Sequence, residues 1–222
     1  GDRVNVAAAA TQPLMGTSSL TFWIRTSQTG GNAGNGASWD LPGVFASEQS
    51  GGGNDIQWGT INSAGRIGFA VGNAAGVYST SAINDNQWNH VAITRNASTG
   101  FVEIWVNGVR EATGSPSDAA FNGLLNRLTS MGVNNQFSGN AAGSDIADSR
   151  YFQGQLDDLR IYDRVLTADQ IAAVRAVERG FHDTAIANDG GALRFTLAQT
   201  GATTLTVSGL AAGMTVSDGT NT

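Results

Sequence analysis

Residues 88–108, WNHVAITRNASTGFVEIWVNG, constrain this chain more than any other stretch. Val91 and Ile93 alternate with Ala92 and Thr94, and Val102, Ile104 and Val106 alternate with Glu103 and Trp105. Successive side chains of a strand leave opposite faces, so a period of two marks a half-buried strand. Residues 96–100 (NASTG) form a link of hairpin length. Asn107-Gly108 adds a second turn, a strong one because both residues accept positive φ. Two reversals so close together predict a β-meander at the centre of an antiparallel sheet.

The same alternation recurs at residues 20–26, 44–47, 55–61, 66–71 and 77–81, and again at 109–113, 128–133 and 152–162. In the last of these it sets Leu156 opposite Leu159 and Ile161. Residues 3–6 form a candidate short strand, followed by a loop of small residues. With 30 glycines and only 3 prolines in 222 residues, the links read as tight turns of a folded β protein. Two links are long and polar, at 28–40 and 134–150. The second has no periodicity, and a structureless stretch of that length in a compact domain is normally functional or disordered.

Thr167-Ala168-Asp169-Gln170 has the form of a capping box, and Ile171, Val174 and Val177 follow at helical spacing. A helix over 168–178, ended by Gly180, is expected. Roughly twelve or thirteen strands closed by one short helix make up the domain. From residue 183 the texture changes, with strand candidates at 192–197, 203–207 and 214–217. We therefore expect two parts: residues 1–179, and residues 180–222 as a linker with a partial or small β module. The start at Gly1 and the Gly/Thr/Asn-rich end suit an excised piece of a longer protein.

Charge narrows the partners. The formal net charge is -6 with pI ≈ 4.7, and all 12 basic residues are Arg. A nucleic-acid partner is not expected, because the basic footprint is missing. There are no cysteines, and no apolar run approaches the ~20 residues of a membrane helix.

Four motifs stand in one order: WNHVA at 88–92, VEIWVNG at 102–108, GQLDDLRIY at 154–162 and LTADQI at 166–171. Together they resemble the laminin G-like and pentraxin-like branch of the concanavalin A-like lectin/glucanase superfamily, over about residues 1–178. The resemblance implies an all-β fold, a jelly-roll sandwich of two antiparallel sheets with one short C-terminal helix. The tail, LTVSGLAAG at 205–213 through SDGTN at 217–221, is similar to the start of repeat modules in giant RTX-type bacterial adhesins. That likeness implies type I secretion and an extracellular place on the bacterial cell surface.

In pentraxin-like members a calcium site lies on one sheet's face. The resemblance carries its first ligand pair onto Asn54 and Asp55, and its second group onto Asn134, Asn135 and Gln136. Amides stand here where carboxylates are expected, and a hard cation takes six to eight oxygens, several of them charged. Asp145 and Asp148, in the same long loop, are candidates for the missing charge. Trp39, Trp58, Phe137 and Tyr151, with Tyr78, sit in or beside predicted loops, where an aromatic face can stack on a sugar ring; Trp39, Trp58, Phe137 and Tyr151 are the ligand-binding candidates. Each is also suited to packing the rim. Trp88 and Trp105 are expected in the core, His90 as a packed structural histidine and His182 in the linker.

An enzyme is not expected. Glucanases of the superfamily carry a Glu-x-Asp-x-x-Glu strand, which sets two carboxylates on one face. The only glutamates are Glu48, Glu103, Glu111 and Glu178, and none is so arranged. Asp157 and Asp158 are adjacent on a strand and face opposite ways. No Gly-x-Ser-x-Gly elbow, phosphate loop or His-rich metal motif is present. The expected function is a calcium-assisted carbohydrate-binding module, monomeric within a larger adhesin, which attaches cells through glycans or a surface protein. Two other functions fit the residues: a protein- or peptide-binding laminin G-like module, and a structural spacer without a ligand.

Overall fold

A computed structural model of the protein describes residues 3–30, 40–49, 55–72, 75–116, 126–138, 141–142, 150–182, 185–189 and 192–196; for 49, 136–138, 141–142, 178–182, 185–189 and 192–196 it describes the backbone alone. The chain divides into two compact units, Gly1–Glu178 and Arg179–Thr222. In the first, the order is β1 (Val4–Asn5), α1 (Ala8–Thr11), a 3-10 turn (Gln12–Met15), β2 (Ser18–Arg25), β3 (Gly43–Gln49), β4 (Ile56–Ile61), β5 (Arg66–Val71) and β6 (Val77–Ala82). Then come β7 (Asn89–Arg95), β8 (Val102–Val106), β9 (Val109–Gly114), β10 (Ser130–Met131), β11 (Val133–Ser138), β12 (Ala141–Ala142), β13 (Gln155–Tyr162) and the helix α2 (Ala168–His182), whose last residues, 179–182, belong to the second unit. In the second unit β14 (Ala185–Asp189) and β15 (Ala192–Thr196) form an antiparallel hairpin.

Alternation along these strands builds a sandwich. A six-stranded sheet runs β12-β11-β3-β4-β5-β6, and a five-stranded sheet runs β13-β2-β7-β8-β9. Every pairing in them is antiparallel except β11 with β3, which is parallel. Leu20, Phe22, Ile24, Val91, Ile93 and Ile104 of one sheet meet Phe45, Ile56, Trp58, Ile67, Phe69 and Val71 of the other in one buried cluster. Two sheets with apolar inner faces close in this way because neither face can be left in water.

The meander expected at 88–108 is β7 and β8. Asn107 and Gly108 have φ of 51 and 84, as the turn into β9 requires. Asn107 also fixes the turn: its Oδ1 accepts from the His90 amide at 2.9 Å, and its Nδ2 donates to Asn89 Oδ1 at 2.8 Å. The strands are more than half-buried, however. All of β7 is buried, because Ala92 and Trp105 on the far face pack with Leu166 and with Ile171 of α2. The capping box that starts α2 is formed: Gln170 N donates to Thr167 Oγ1 at 3.3 Å, and Thr167 N to Gln170 Oε1 at 3.0 Å. His90 is buried edge-on against Trp23, with ring centroids 5.4 Å apart.

Four expectations are corrected. Leu156 does not oppose Leu159 and Ile161; all three pack on the core, because the register shifts between Asp157 and Arg160 and Asp158 takes φ 46. A bulge of this kind adds a residue and reverses the phase of alternation. The single strand expected over 128–133 is broken at Gly132, φ 83, into β10 and β11. Trp88 is half-buried and lies outside the core clusters. The helix runs past Gly180 to His182, and an extra helical turn, α1, forms on the alanines near the start.

Candidate functional site

The strands that carry the apolar cluster inward carry a polar set outward on the six-stranded sheet. On β4, Ile56 and Trp58 enter the core, and Gln57 between them faces out. Gly59 has φ 73, and a Cβ there would lie 3.0 Å from Val44 and 3.3 Å from Phe22. Glycine thus takes the inward place at a bulge. Thr60 is turned outward again, and Ile61 returns to the core. Cross-strand register then lays out rows on the outer face. Asn134, Ala46, Gln57 and Ala70 stand side by side. Gly43, Thr60, Gly68 and Tyr78 form the row on one side. On the other side Gln136 pairs with Glu48, and continuing the register one residue sets Asp55 beside Glu48.

Glycine and alanine leave room over the strands that Tyr78 uses. A Cβ on Gly68 would lie 2.5 Å from Tyr78 Cδ1, so the ring lies across that glycine. Its hydroxyl is 3.4 Å from Thr60 Oγ1. Burial raises the Tyr78 hydroxyl pKa above its ordinary 10, against a smaller lowering by that hydrogen bond.

The polar groups of this face are buried: Glu48, Asp55, Gln57, Thr60, Asn134 and Arg150 are all out of solvent. Buried polar groups must find partners. Arg150 does so at the sheet edge, next to Tyr151, which bridges to Val133 of β11. Its Nη1 donates to Glu48 Oε2 at 3.3 Å, and its Nε to Asp40 Oδ1 at 3.3 Å. Arg150 therefore ties the chain after residue 149 to the end of β3. Gln57 is the opposite case: neither Oε1 nor Nε2 has a hydrogen-bond partner among the described residues.

The expected site residues fall in three groups. Asn134 and Asp55 reach the outer face, and Gln136 has its register position beside Glu48. Asn134–Gln136, taken from sequence as part of a loop, are on β11. Three residues lie elsewhere. Trp58 is in the core, edge-to-face with Phe69 at 4.7 Å, and has no surface to offer a ligand. Asn135 pairs with Ser47 on the opposite parity, and its Oδ1 accepts from Arg3 at 3.4 Å. Tyr151 is half-buried at the edge, its carbonyl accepting from Gln28 Nε2 at 2.8 Å. Asn54, Asp145, Asp148 and Trp39 lie outside the described residues, as do the side chains of Gln136 and Phe137. Sequence reading missed Glu48, Gln57, Thr60 and Arg150. The one available signal was that Gln57 and Thr60 interrupt an apolar strand.

Calcium fits only part of the expected set. Asp55 and Asn134 are two strands and two residues apart, roughly 12 Å along the sheet. One ion with oxygens at about 2.4 Å would touch both only if each short side chain lay flat along the sheet. Among the described residues no three His, Cys, Asp or Glu side chains gather as a metal cluster. What fits is the Asp55 end of β4, where the register sets a second carboxylate, Glu48, between Asp55 and the position of Gln136.

Solved structures share this architecture at low identity. The CBM40 of the Ruminococcus gnavus IT-sialidase superposes with TM-score 0.52 and 13% identity, over 78% of this chain and 97% of that one. A Trypanosoma rangeli sialidase in complex with sialic acid gives TM-score 0.51 and 14% identity over 80% of this chain, which spans 26% of the sialidase. A heptameric SAP-like pentraxin from Limulus polyphemus gives 0.47 and 16%, over 71% of this chain and 69% of the pentraxin. No curated protein sequence matches the chain significantly. Residues 1–172 match the Laminin_G_3 family, described as the Concanavalin A-like lectin/glucanases superfamily. With that match covering most of its length, the chain belongs to the concanavalin A-like lectin/glucanase superfamily.

Proposed function

We propose that this domain is a calcium-assisted carbohydrate-binding module of an extracellular bacterial adhesin. One observation carries the proposal: the match of residues 1–172 to the concanavalin A-like lectin/glucanases superfamily, on a sandwich whose six-stranded sheet turns polar side chains to its outer face. Tyr78 adds an aromatic ring at the side of that face. The Ruminococcus gnavus counterpart is a CBM by its name and has been solved bound to sialyllactose. At that identity the likeness speaks for the fold alone.

Calcium would be held at the Asp55 end of β4, with Asn54, Gln136, Asp145 and Asp148 as the further oxygen donors. It would neutralise the carboxylate and order the loops around the sheet face. The place on a cell surface, reached by type I secretion, rests on the adhesin-like tail at 205–221. Among the described residues no helix is long and apolar enough to cross a membrane.

A glycan array probed with and without chelator tests the proposal on a sample shown to be folded by circular dichroism. We expect a small set of glycan hits that chelator weakens at least tenfold. Hits indifferent to chelator would remove calcium from the mechanism. No hit at all would remove carbohydrate binding and leave the protein-binding alternative.

A further inference from the structure

Residues 96–98, Asn-Ala-Ser, are the single Asn-x-Ser/Thr triplet in the chain, and x is not proline. Such a triplet on a surface turn is an acceptor for N-linked sugar. Here it opens the link between β7 and β8, with Ser98 exposed and Asn96 half-buried. Asn96 N donates to Phe101 O at 2.8 Å, and Ala97 N to Thr17 Oγ1 at 3.0 Å, so the turn is held at its root and its flank. Asn96 Oδ1 accepts from Ser98 N at 3.0 Å and from Ser98 Oγ at 2.7 Å. This is an Asx turn, closed a second time by the hydroxyl. Both bonds hold the carboxamide by its oxygen. Its Nδ2 makes no hydrogen bond among the described residues and is not buried. Phe101 stands opposite Asn96, one residue beyond the Arg95–Val102 pair. Arg95 and Val102 are buried, so the next pair turns away from the core. Opposite residues of an antiparallel pair share a face, with Cβ atoms roughly 5 Å apart. Phe101 is 41% exposed and belongs to neither core cluster.

We propose that Asn96 is an N-glycosylation site and that Phe101 seats the first sugar. In the transfer, Asn96 Nδ2 forms a bond to C1 of a sugar carried on the phosphate of an activated donor, and the C1–O bond to that phosphate breaks. The phosphate leaves with the electron pair, and the proton lost by Nδ2 passes to a base of the transferase, a separate enzyme. The hydroxyl that defines the triplet already lies on the acceptor carboxamide, so the folded turn presents both groups together. A pyranose has one face of C–H groups, and the negative face of an aromatic ring attracts them. A sugar on Asn96 would cover the Phe101 ring and take apolar surface out of water. The site lies in a turn of the five-stranded sheet and does not rest on the carbohydrate-binding function proposed above.

The full chain is incubated with UDP-glucose and an N-glucosyltransferase, and separately with a polyprenyl-linked oligosaccharide and an oligosaccharyltransferase. Trypsin cuts after Arg95 and Arg110 and releases residues 96–110, whose mass reports the added sugar. We expect sugar on Asn96 of the folded chain, and the donor that serves tells a nucleotide source from a lipid-linked one. Ser98→Thr keeps the hydroxyl and should keep the modification, whereas Ser98→Ala and Asn96→Gln should carry none. The glycosylated chain should melt roughly 2–4 °C above the unmodified one, a gain that Phe101→Ala should abolish. No sugar on the folded chain, under conditions that modify a free peptide of residues 96–110, would overturn the site. Equal modification of Ser98→Ala would overturn the role given to the turn. An unchanged melting temperature on glycosylation would overturn the seat at Phe101.

Discussion

Arg150 ties two chain segments to the end of β3, and its loss should be among the costliest single changes in the domain. Its side chain is 5% exposed, Glu48 9% and Asp40 27%. Arg150→Met preserves much of the packing volume and strands the Glu48 carboxylate in a site closed to water. Breaking a buried ion pair from one side costs about 3–5 kcal/mol, because the remaining charge is uncompensated. Asp40 stays partly solvated and adds ~0–1 kcal/mol. The geometry at 3.3 Å is longer than the ~2.7–2.9 Å of an ideal charged pair, so we expect the low end, about 3 kcal/mol. At ~2–4 °C per kcal/mol for a domain of this size, the melting temperature should fall by about 6–12 °C. Adding Glu48→Gln to the variant removes the stranded charge and should restore roughly half of the loss. Urea unfolding followed by circular dichroism measures both changes. A loss below about 1 kcal/mol in Arg150→Met, or no recovery in the double variant, would refute the role given to this pair.

Further expectations follow from the helix and from Tyr78. Ile171→Ala uncovers Trp105 and Ala92 and should cost about 2–5 kcal/mol, whereas Thr167→Ala, which removes only the cap, should cost about 1 kcal/mol; thermal unfolding of the two variants gives the ratio. Tyr78 ionises above its ordinary 10 in the folded protein, so between the unfolded and folded values the folded chain keeps a proton that the unfolded chain releases. Stability from this group is complete below pH 10 and is lost as pH rises through the folded value. Stability curves of the wild type and Tyr78→Phe should therefore converge or cross in alkali, and parallel curves would contradict the burial assigned to the hydroxyl.

The strands were legible in the sequence because their core-facing positions are apolar at a period of two. Val91, Ile93, Val102 and Ile104 announce themselves in this way, and Thr167 with Gln170 announces the helix. The polar face was not legible, for a physical reason. Asn134 and Gln136 are poor strand formers by composition, and a strand that shows amides on one side reads as a loop. β11 is specified by its parallel pairing with β3, a contact about 90 residues away in the chain, which no local window contains. Asp158 and Gly59 shift the phase of their strands, so faces assigned by simple counting came out reversed at Leu159 and Ile161. Trp58 looked like a rim aromatic beside a turn, yet the row Phe45, Trp58 and Phe69 makes it a centrepiece of the core. Arg150 gave no signal, since only the tertiary fold brings Glu48 and Asp40 to it.

The account as a whole turns on one location, the outer face of the six-stranded sheet. Backbone amide shifts, recorded by 15N NMR while the wild-type domain is titrated with its strongest array glycan, locate the ligand directly. We expect the largest changes at Ala46, Gln57, Thr60, Ala70, Tyr78 and Asn134, with β8 and α2 unmoved. Changes confined to α2 and the five-stranded sheet, with Gln57 and Asn134 silent, would contradict it.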